Sequence, residues 1–525
     1  MNNIVKLFMA VTLSASLSSC SDFLDQPVLG QETLDTYYQT EEECLKQITG
    51  CYQSVFWNDW WQVASFYVGV DMSTDDLWMG NTTQSQSDWI RMSHYGNPKQ
   101  DGKIKDFWQY RYKGILRCNI AINRIATSPI TNETLRSRMI AEAKFIRAYQ
   151  YFELVKNFGG VPVVTDMLLP EDVRGKTRNS VSEVYALIEQ DLIDAAASLP
   201  ARSGYAETEM GRATKGAALA YLGKAYLYQE KYADAKRVLE EVINSKEYSL
   251  LPDFKDVWSV DTNNSVESLF EVQYNDDTKY DLGGRLSVVV GSRDDSGWSW
   301  GLPTSNLEKA FLDAGDTERL KWTIIKNGDD VAGDDNEKAK AYVISPDKHK
   351  SARVNRKFYI PVDKRPSPYD ANHVPLNHRL LRYADVLLMH AEAAYETSDE
   401  VGARKSLNEV RNRVHLTESA ATGKALRDAI RLERRLELAL EHNRLYDLRR
   451  WNDDNGKKAL CNVMGESGSF VRYNLVESTD EYEKTNQKEN SNKGITFRED
   501  RDLLFPVPNT EVLLSEGVIE QNPNF

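Results

Sequence analysis

Apolar residues recur at three- and four-residue spacing along much of this 525-residue chain, the period at which an α-helix buries one face. The pattern predicts helices over 41–57, 136–158, 181–199, 212–229, 232–245, 382–397, 401–414 and 424–451. Within Ala217–Tyr226 small residues alternate with large ones, as close helix crossing requires, and Tyr232-Ala233-Asp234-Ala235 opens a second helix. Ala391–Tyr395 followed by Ala403–Leu407 repeats the arrangement. These read as degenerate tetratricopeptide-type helix pairs, units that cannot bury their apolar faces alone and so must stack. Between about 249 and 375 the pattern gives way to short β-prone runs such as Ser268–Tyr274, separated by Asn, Asp and Gly. This region reads as loops and hairpins. With 56–108 it holds most of the tryptophans, and long irregular segments on a rigid frame are where binding usually sits.

The N-terminus changes the picture. One lysine, Lys6, precedes the largely apolar run Leu7–Leu17 and then Ser18-Ser19-Cys20. That run is a secretory signal, too short to span a bilayer as a helix. Leu17-Ser18-Ser19-Cys20 has the form of a lipobox, which makes Cys20 the expected lipidated mature N-terminus. Several acyl chains there give stable anchoring, at roughly 0.8 kcal/mol per buried methylene. The expected organisation is a signal peptide over 1–19, a lipidated tether over 20–40, and one domain over 41–525. Its frame covers about 41–248 and 376–455, an irregular ligand region about 249–375, and a C-terminal segment 456–525.

Charge and cysteine usage mainly exclude. Lys and Arg total 65 against 79 Asp and Glu, and a net charge of -14 repels a phosphate backbone. Nucleic acid is not an expected partner. Cys44, Cys51, Cys118 and Cys461 are too few for a disulfide scaffold and match no zinc spacing. One bridge remains open, but Cys44 and Cys51 lie too far apart along one helix to form it. No HExxH occurs, and His373 and His378 sit in a loop without ligand spacing. The acidic loop 328–335 misses the calcium-loop pattern and reads as solvated turns. No metal or cofactor is expected, a structural calcium having no support in the spacing.

Several ordered blocks are similar to the SusD/RagB family of outer-membrane nutrient-binding lipoproteins. They are Ala141–Pro162 with its Gly159-Gly160 pair, Arg382–Ala393, Leu407–Arg413, Glu433–Trp451, and the C-terminal Leu504–Pro508 with Gln521–Phe525. The resemblance implies a mostly α, right-handed helical frame of tetratricopeptide type carrying a loop-rich region with short hairpins. It implies a surface-exposed, lipid-anchored outer-membrane protein that binds oligosaccharides or polysaccharide fragments without cleaving them. It also implies a partner, a SusC-like TonB-dependent barrel that imports the captured chain. A peptide ligand, as in RagB-like members, and a secreted glycan-degrading enzyme are the alternatives.

Physical chemistry gives the blocks structural tasks. Glu433, Glu437 and Glu441 repeat at four-residue spacing among arginines, which predicts an ion-pair network rather than two opposed catalytic carboxylates. Gly159-Gly160 before Pro162 reads as a helix stop.

No family motif fixes the ligand residues, so they are chosen by chemistry. A sugar ring presents C–H faces to an aromatic ring and hydroxyls to Asp, Asn and Arg. Among the 11 Trp and 26 Tyr, the combination occurs at Asp75, Asp76, Trp78 and Asn81 with Trp89 nearby, at Tyr280, Asp281 and Arg285, and at Trp298 with Trp300. Trp57, Trp60 and Trp61 follow a helical pattern and are assigned to packing.

Overall fold

A computed structural model describes residues 37–55, 63–79, 87–96, 99, 102–168, 175–331, 341–345, 348–349, 351–465, 468–472 and 497–525. Cys20, Asn81 and the Trp57, Trp60 and Trp61 cluster lie outside these residues, as does the second half of the acidic loop 328–335.

The described chain is mostly helical with a few short strands. In chain order the helices that build the frame and its approach are α1 Glu41–Gln53, α2 Val63–Met72, α3 Ser87–Ser93, α4 Gly102–Ala126, α5 Glu133–Phe158, α6 Val181–Ser198, α7 Lys215–Tyr228 and α8 Tyr232–Ser245. Helices α4 to α8 pack each against the next, as stacked helix pairs should. Strong local signals start several of them. Thr40 and Ser180 each close a capping box with Glu43 and Glu183, and Thr214 caps α7. Gly159, at φ +74°, stops α5 where the glycine pair predicts.

After α8 the chain leaves the frame. It runs through a 3-10 turn Phe254–Trp258, strands β2 Ser268–Val272, β3 Leu302–Pro303, β4 Ile324–Lys326 and β5 Arg353–Asn355, and helices α9 Leu286–Val289, α10 Ser305–Asp313 and α11 Thr317–Thr323. It returns through β6 His378–Arg382, which pairs antiparallel with β2. The excursion therefore starts and ends on one ladder. The frame then resumes with α12 Tyr383–Glu396, α13 Glu400–Arg413, α14 Gly423–Glu437 and α15 Arg444–Arg450. Helix α12 packs directly on α8, so the stack continues across the excursion as though it were absent.

Three expectations need correction. The expected single helix 424–451 is two, α14 and α15, separated by a reversal in which Leu440 and His442 take positive φ. The reversal turns Glu441 toward Arg382 and Lys357, and it aims His442 Nδ1 at Asp71, 2.7 Å away. The stretch 56–108, placed in the frame but given no helix of its own after residue 57, contains α2, α3 and the start of α4. Helix α4 escaped the periodicity because its inward face carries Arg111, fully buried and donating to Gln150 at 2.6 Å. Arg382, expected to open a helix, ends β6 instead.

Ion pairs bind excursion to frame. Glu437 accepts from Arg319 of α11 at 2.9 Å, from Arg382 at 2.5 Å, and from Arg413. Glu433 pairs with Arg319 and Arg411, and Glu441 with Arg382 and Lys357. All but the half-buried Arg411 lie in the interior, where an ion pair persists only if each charge is matched. Burial disfavours the charged carboxylate of Glu437, but its three guanidinium neighbours win and hold it well below the usual range. The four described cysteines are buried free thiols. Among the described residues no helix is long and apolar enough to cross a membrane.

Candidate functional site

A hairpin at the outer end of the excursion carries Trp298 and Trp300. The amides of Trp298 and Trp300 donate to the carbonyls of Val288 and Val289 at the end of α9, at 2.8 and 2.9 Å. A β-carbon on Gly297 would lie 2.2 Å from the Gly291 carbonyl carbon, and one on Gly291 would lie 2.6 Å from the Ser287 carbonyl oxygen, so both positions need glycine. The residues after Trp300 continue into β3, which pairs with β1, Leu77–Trp78, in the register Leu77↔Pro303 and Trp78↔Leu302. The fold thus brings two of the sequence-predicted clusters, 75–78 and 298–300, to one place.

It does not give them one role. Trp298 and Trp300 are half-buried, with ring centroids 4.8 Å apart. Behind Trp300, edge-on at 5.3 Å, stands Trp89 of α3, 1% exposed. Three indoles therefore run from core to surface, the inner one fixing the next.

Asp75, Asp76 and Trp78 sit deeper, and here the expectation of ligand contact is corrected. Asp75 is gripped by Arg444 with two 2.9 Å bonds, and Asp76 accepts from Arg435 at 2.9 and 2.8 Å. The main-chain carbonyls of the pair accept from Thr304, so both ends of the dipeptide are tied. Burial works against ionising either carboxyl. For Asp75 the two arginines prevail and the pKa is lowered, whereas for Asp76 burial prevails and it is raised. Trp78 is 2% exposed. These residues, with Trp89, form the bed beneath the surface indoles, because none is more than 3% exposed and a ligand on the surface does not reach them.

The third predicted cluster divides as well. Tyr280 is half exposed, with the Lys279 ammonium 5.0 Å over its ring, and Asp281 beside it is also exposed. Arg285 is buried at the start of α9. Since α9 supplies the carbonyls that hold Trp298 and Trp300, the Tyr280 loop leads directly into the hairpin's support.

The sequence reading passed over a second aromatic concentration in the same excursion, around Trp258, Trp322 and Tyr359, which lines an open cleft of about 220 Å³. Trp322 and Tyr359 lie far from each other and from Trp258 in sequence, so only the fold unites them. No group of three or more His, Cys, Asp or Glu side chains placed to hold a metal occurs among the described residues.

Comparison with known proteins agrees with this architecture. The model described as the SusD family matches residues 266–525, and one described as "Starch-binding associating with outer membrane" matches 22–227. SusD-like protein P25 of Formosa agariphila is 26% identical over 489 residues, 85% of this chain and 90% of that protein. A SusD-like protein from Bacteroides fragilis superposes with a TM-score of 0.74 at 26% identity, covering 94% of this chain and 98% of that one. A laminarin-binding SusD-like protein gives 0.75 at 26% identity, covering 93% and 100%.

Proposed function

This chain belongs to the SusD family, and from that premise we propose that it captures glycan chains on the Trp298–Trp300 face and hands them, uncleaved, to a SusC-like TonB-dependent barrel. The observation that carries the reading is the indole series Trp89–Trp300–Trp298, whose outer members are half-bare and whose inner member is locked. Flat, rigid indole faces suit the C–H faces of sugar rings and cost little side-chain entropy on binding, each good stack contributing about 0.5–1.5 kcal/mol. A relative of matching fold and length is laminarin-binding, and the description of the N-terminal match names starch; both favour a glycan over a peptide.

Binding rather than cleavage fits the carboxylates. Glu433, Glu437 and Glu441, the acidic residues that most invite a glycosidase reading, are spent on buried arginines and a lysine. A glycosidase needs one carboxylic acid and one carboxylate facing across a sugar-sized gap. The lipobox at Cys20 supplies the anchor in this proposal, placing the protein at the outer membrane with only its acyl chains in the bilayer.

Calorimetric titration of the mature protein with neutral glucans, laminarin among them, tests the proposal. Saturable binding is expected without new reducing ends, and Trp298→Ala should weaken it roughly tenfold. A panel of glycans giving no heat, beside peptides that do, would replace the reading with a peptide carrier. Mass spectrometry of the mature N-terminus should find Cys20 acylated.

A further inference from the structure

The cleft around Trp322 belongs to none of the residues assigned above. We propose that it is a second, recessed sugar subsite, taking one neutral pyranose ring of a glycan whose neighbouring rings lie on the Trp298–Trp300 face. The inference rests on the glycan-binding reading and specifies how the chain is held.

The walls are built for a ring. Trp322 is half-buried and immobilised from two sides. Its Nε1–H donates to Glu318 at 3.0 Å, and the Arg356 guanidinium lies 4.1 Å from its ring centroid. Arg356 is itself buried and donates to the carbonyls of Lys321 and Asp330, so it is fixed as part of the wall. At the base Trp258 is 6% exposed, and its Nε1–H is buried without an acceptor among the described residues. Tyr359 closes the opposite side, half-buried against Tyr342.

Size and charge choose the ligand. About 220 Å³ falls below the roughly 300–1,000 Å³ of pockets for drug-sized molecules, which leaves room for one ring rather than a folded oligomer. The rim bears both signs, Lys255 and Lys364 with Asp256 and Asp363, and Lys364 is already ion-paired to Asp261. A mixed rim offers hydroxyl-binding donors and acceptors and no net field for a polyanion.

A physical connection joins the cleft to the hairpin. Arg365, whose guanidinium sits 5.3 Å from the Tyr359 centroid, forms a two-pronged pair with Asp295 at 2.6 and 2.5 Å. Tyr342, the ring behind Tyr359, reaches the same carboxylate at 3.4 Å. Asp295 lies three residues before Trp298 in the hairpin. Burial alone disfavours the Arg365 charge, but its hydrogen bonds to Asp295 prevail and raise its pKa. The clamp therefore fixes the cleft wall against the segment that presents the indoles.

The test compares short and long probes on the full mature protein, using laminaritriose, laminarihexaose and equally long malto- and manno-oligosaccharides. For the series that binds, Trp322→Ala and Lys364→Ala should weaken the hexamer roughly three- to tenfold while leaving the trimer's affinity for the Trp298 face unchanged. Lys364 is exposed, so its variant guards against a fold defect in Trp322→Ala. Tryptophan emission should shift on hexamer binding in the wild type and lose part of that shift in Trp322→Phe. If the hexamer binds, is weakened by Trp298→Ala, and ignores both cleft variants, the second subsite is refuted while the glycan reading stands. If no probe binds the wild type, both fall together.

Discussion

The Glu433–Trp451 segment of the frame and the Gly291–Gly301 hairpin of the excursion draw on the same residue types, acids, arginines and tryptophan, and use them in opposite ways. In the frame every named carboxylate meets a buried cation, and even Trp451, 5% exposed, spends its Nε1–H on Glu392 at 3.0 Å. In the hairpin the charges stay at the base. Asp294 takes the Ser345 amide and the Lys348 ammonium, each at 2.6 Å, and Asp295 takes Arg365, while the indoles above are left half-bare. Charge in the first region is a component of the core. In the second it is a clamp that frees aromatic surface for something else. A tally of Asp, Arg and Trp in a sequence window cannot separate the two uses, because they differ only in what the partners are and how far they stand from water.

The sharpest way to break that contrast is to remove one central charge from the frame. Glu437→Gln leaves Arg319, Arg382 and Arg413 facing one another without their shared carboxylate. Breaking a buried pair on one side costs about 3–5 kcal/mol, since the remaining charges stay desolvated. Urea unfolding should show a loss of that size with an unchanged slope, and glycan affinity of the folded fraction should hold. A loss below about 1 kcal/mol would mean the network is wetter than its burial implies, and the distinction between the two regions would fail.

Acid separates the regions next. Glu437 and Asp385 have folded pKa values below their ordinary 4.5 and 3.8, because arginines around the first, and Lys224 and Arg434 around the second, outweigh burial. A depressed carboxylate adds stability that is complete above its unfolded pKa and is lost as pH falls toward the folded one. Asp76, Glu142 and Asp191, raised by burial, act in the other direction. Wild type is therefore best compared with Glu437→Gln, in which one depressed group is gone. The stability gap between them should be constant above about pH 4.5 and narrow below it, by up to about 1.4 kcal/mol per pH unit for a single group. A gap that stays flat to pH 3 would remove Glu437 from the account of acid sensitivity.

How much of this was readable beforehand follows the same division. The frame was legible because stacking repeats one requirement, an apolar face every three or four residues, and because caps such as Thr40 with Glu43 mark boundaries locally. It failed where a polar residue served as core, at Arg111 in α4, and where the chain reversed at Leu440 and His442 to deliver Glu441 to its partners. The site was legible only as residue types. Trp298, Trp300, Tyr280 and Asp281 do reach the surface, yet Asp75, Asp76, Trp78, Trp89 and Arg285 of identical chemistry do not. The partners of the two aspartates, Arg435 and Arg444, come from more than 350 positions away. The Trp322 cleft was illegible for a related reason, since its walls arrive from three separate stretches of the excursion and no single stretch resembles a site.

Tyr280 is the smallest and finest test of the comparison. Its ring is half exposed and covered on one face only by the Lys279 ammonium, 5.0 Å away, a surface contact of about 0.5–1 kcal/mol. Tyr280→Ala removes little that is buried, so stability should move by no more than about 0.5 kcal/mol. If the excursion displays rings in order to bind, affinity for the glycan should still fall about two- to fivefold, less than for Trp298→Ala because tyrosine presents a smaller face and lacks an indole neighbour behind it. The pair of measurements matters more than either alone. A ring whose loss is felt in binding and not in folding is surface kept bare for a ligand, whereas the reverse outcome would make Tyr280 one more packing residue and shrink the binding face to the two indoles of the hairpin.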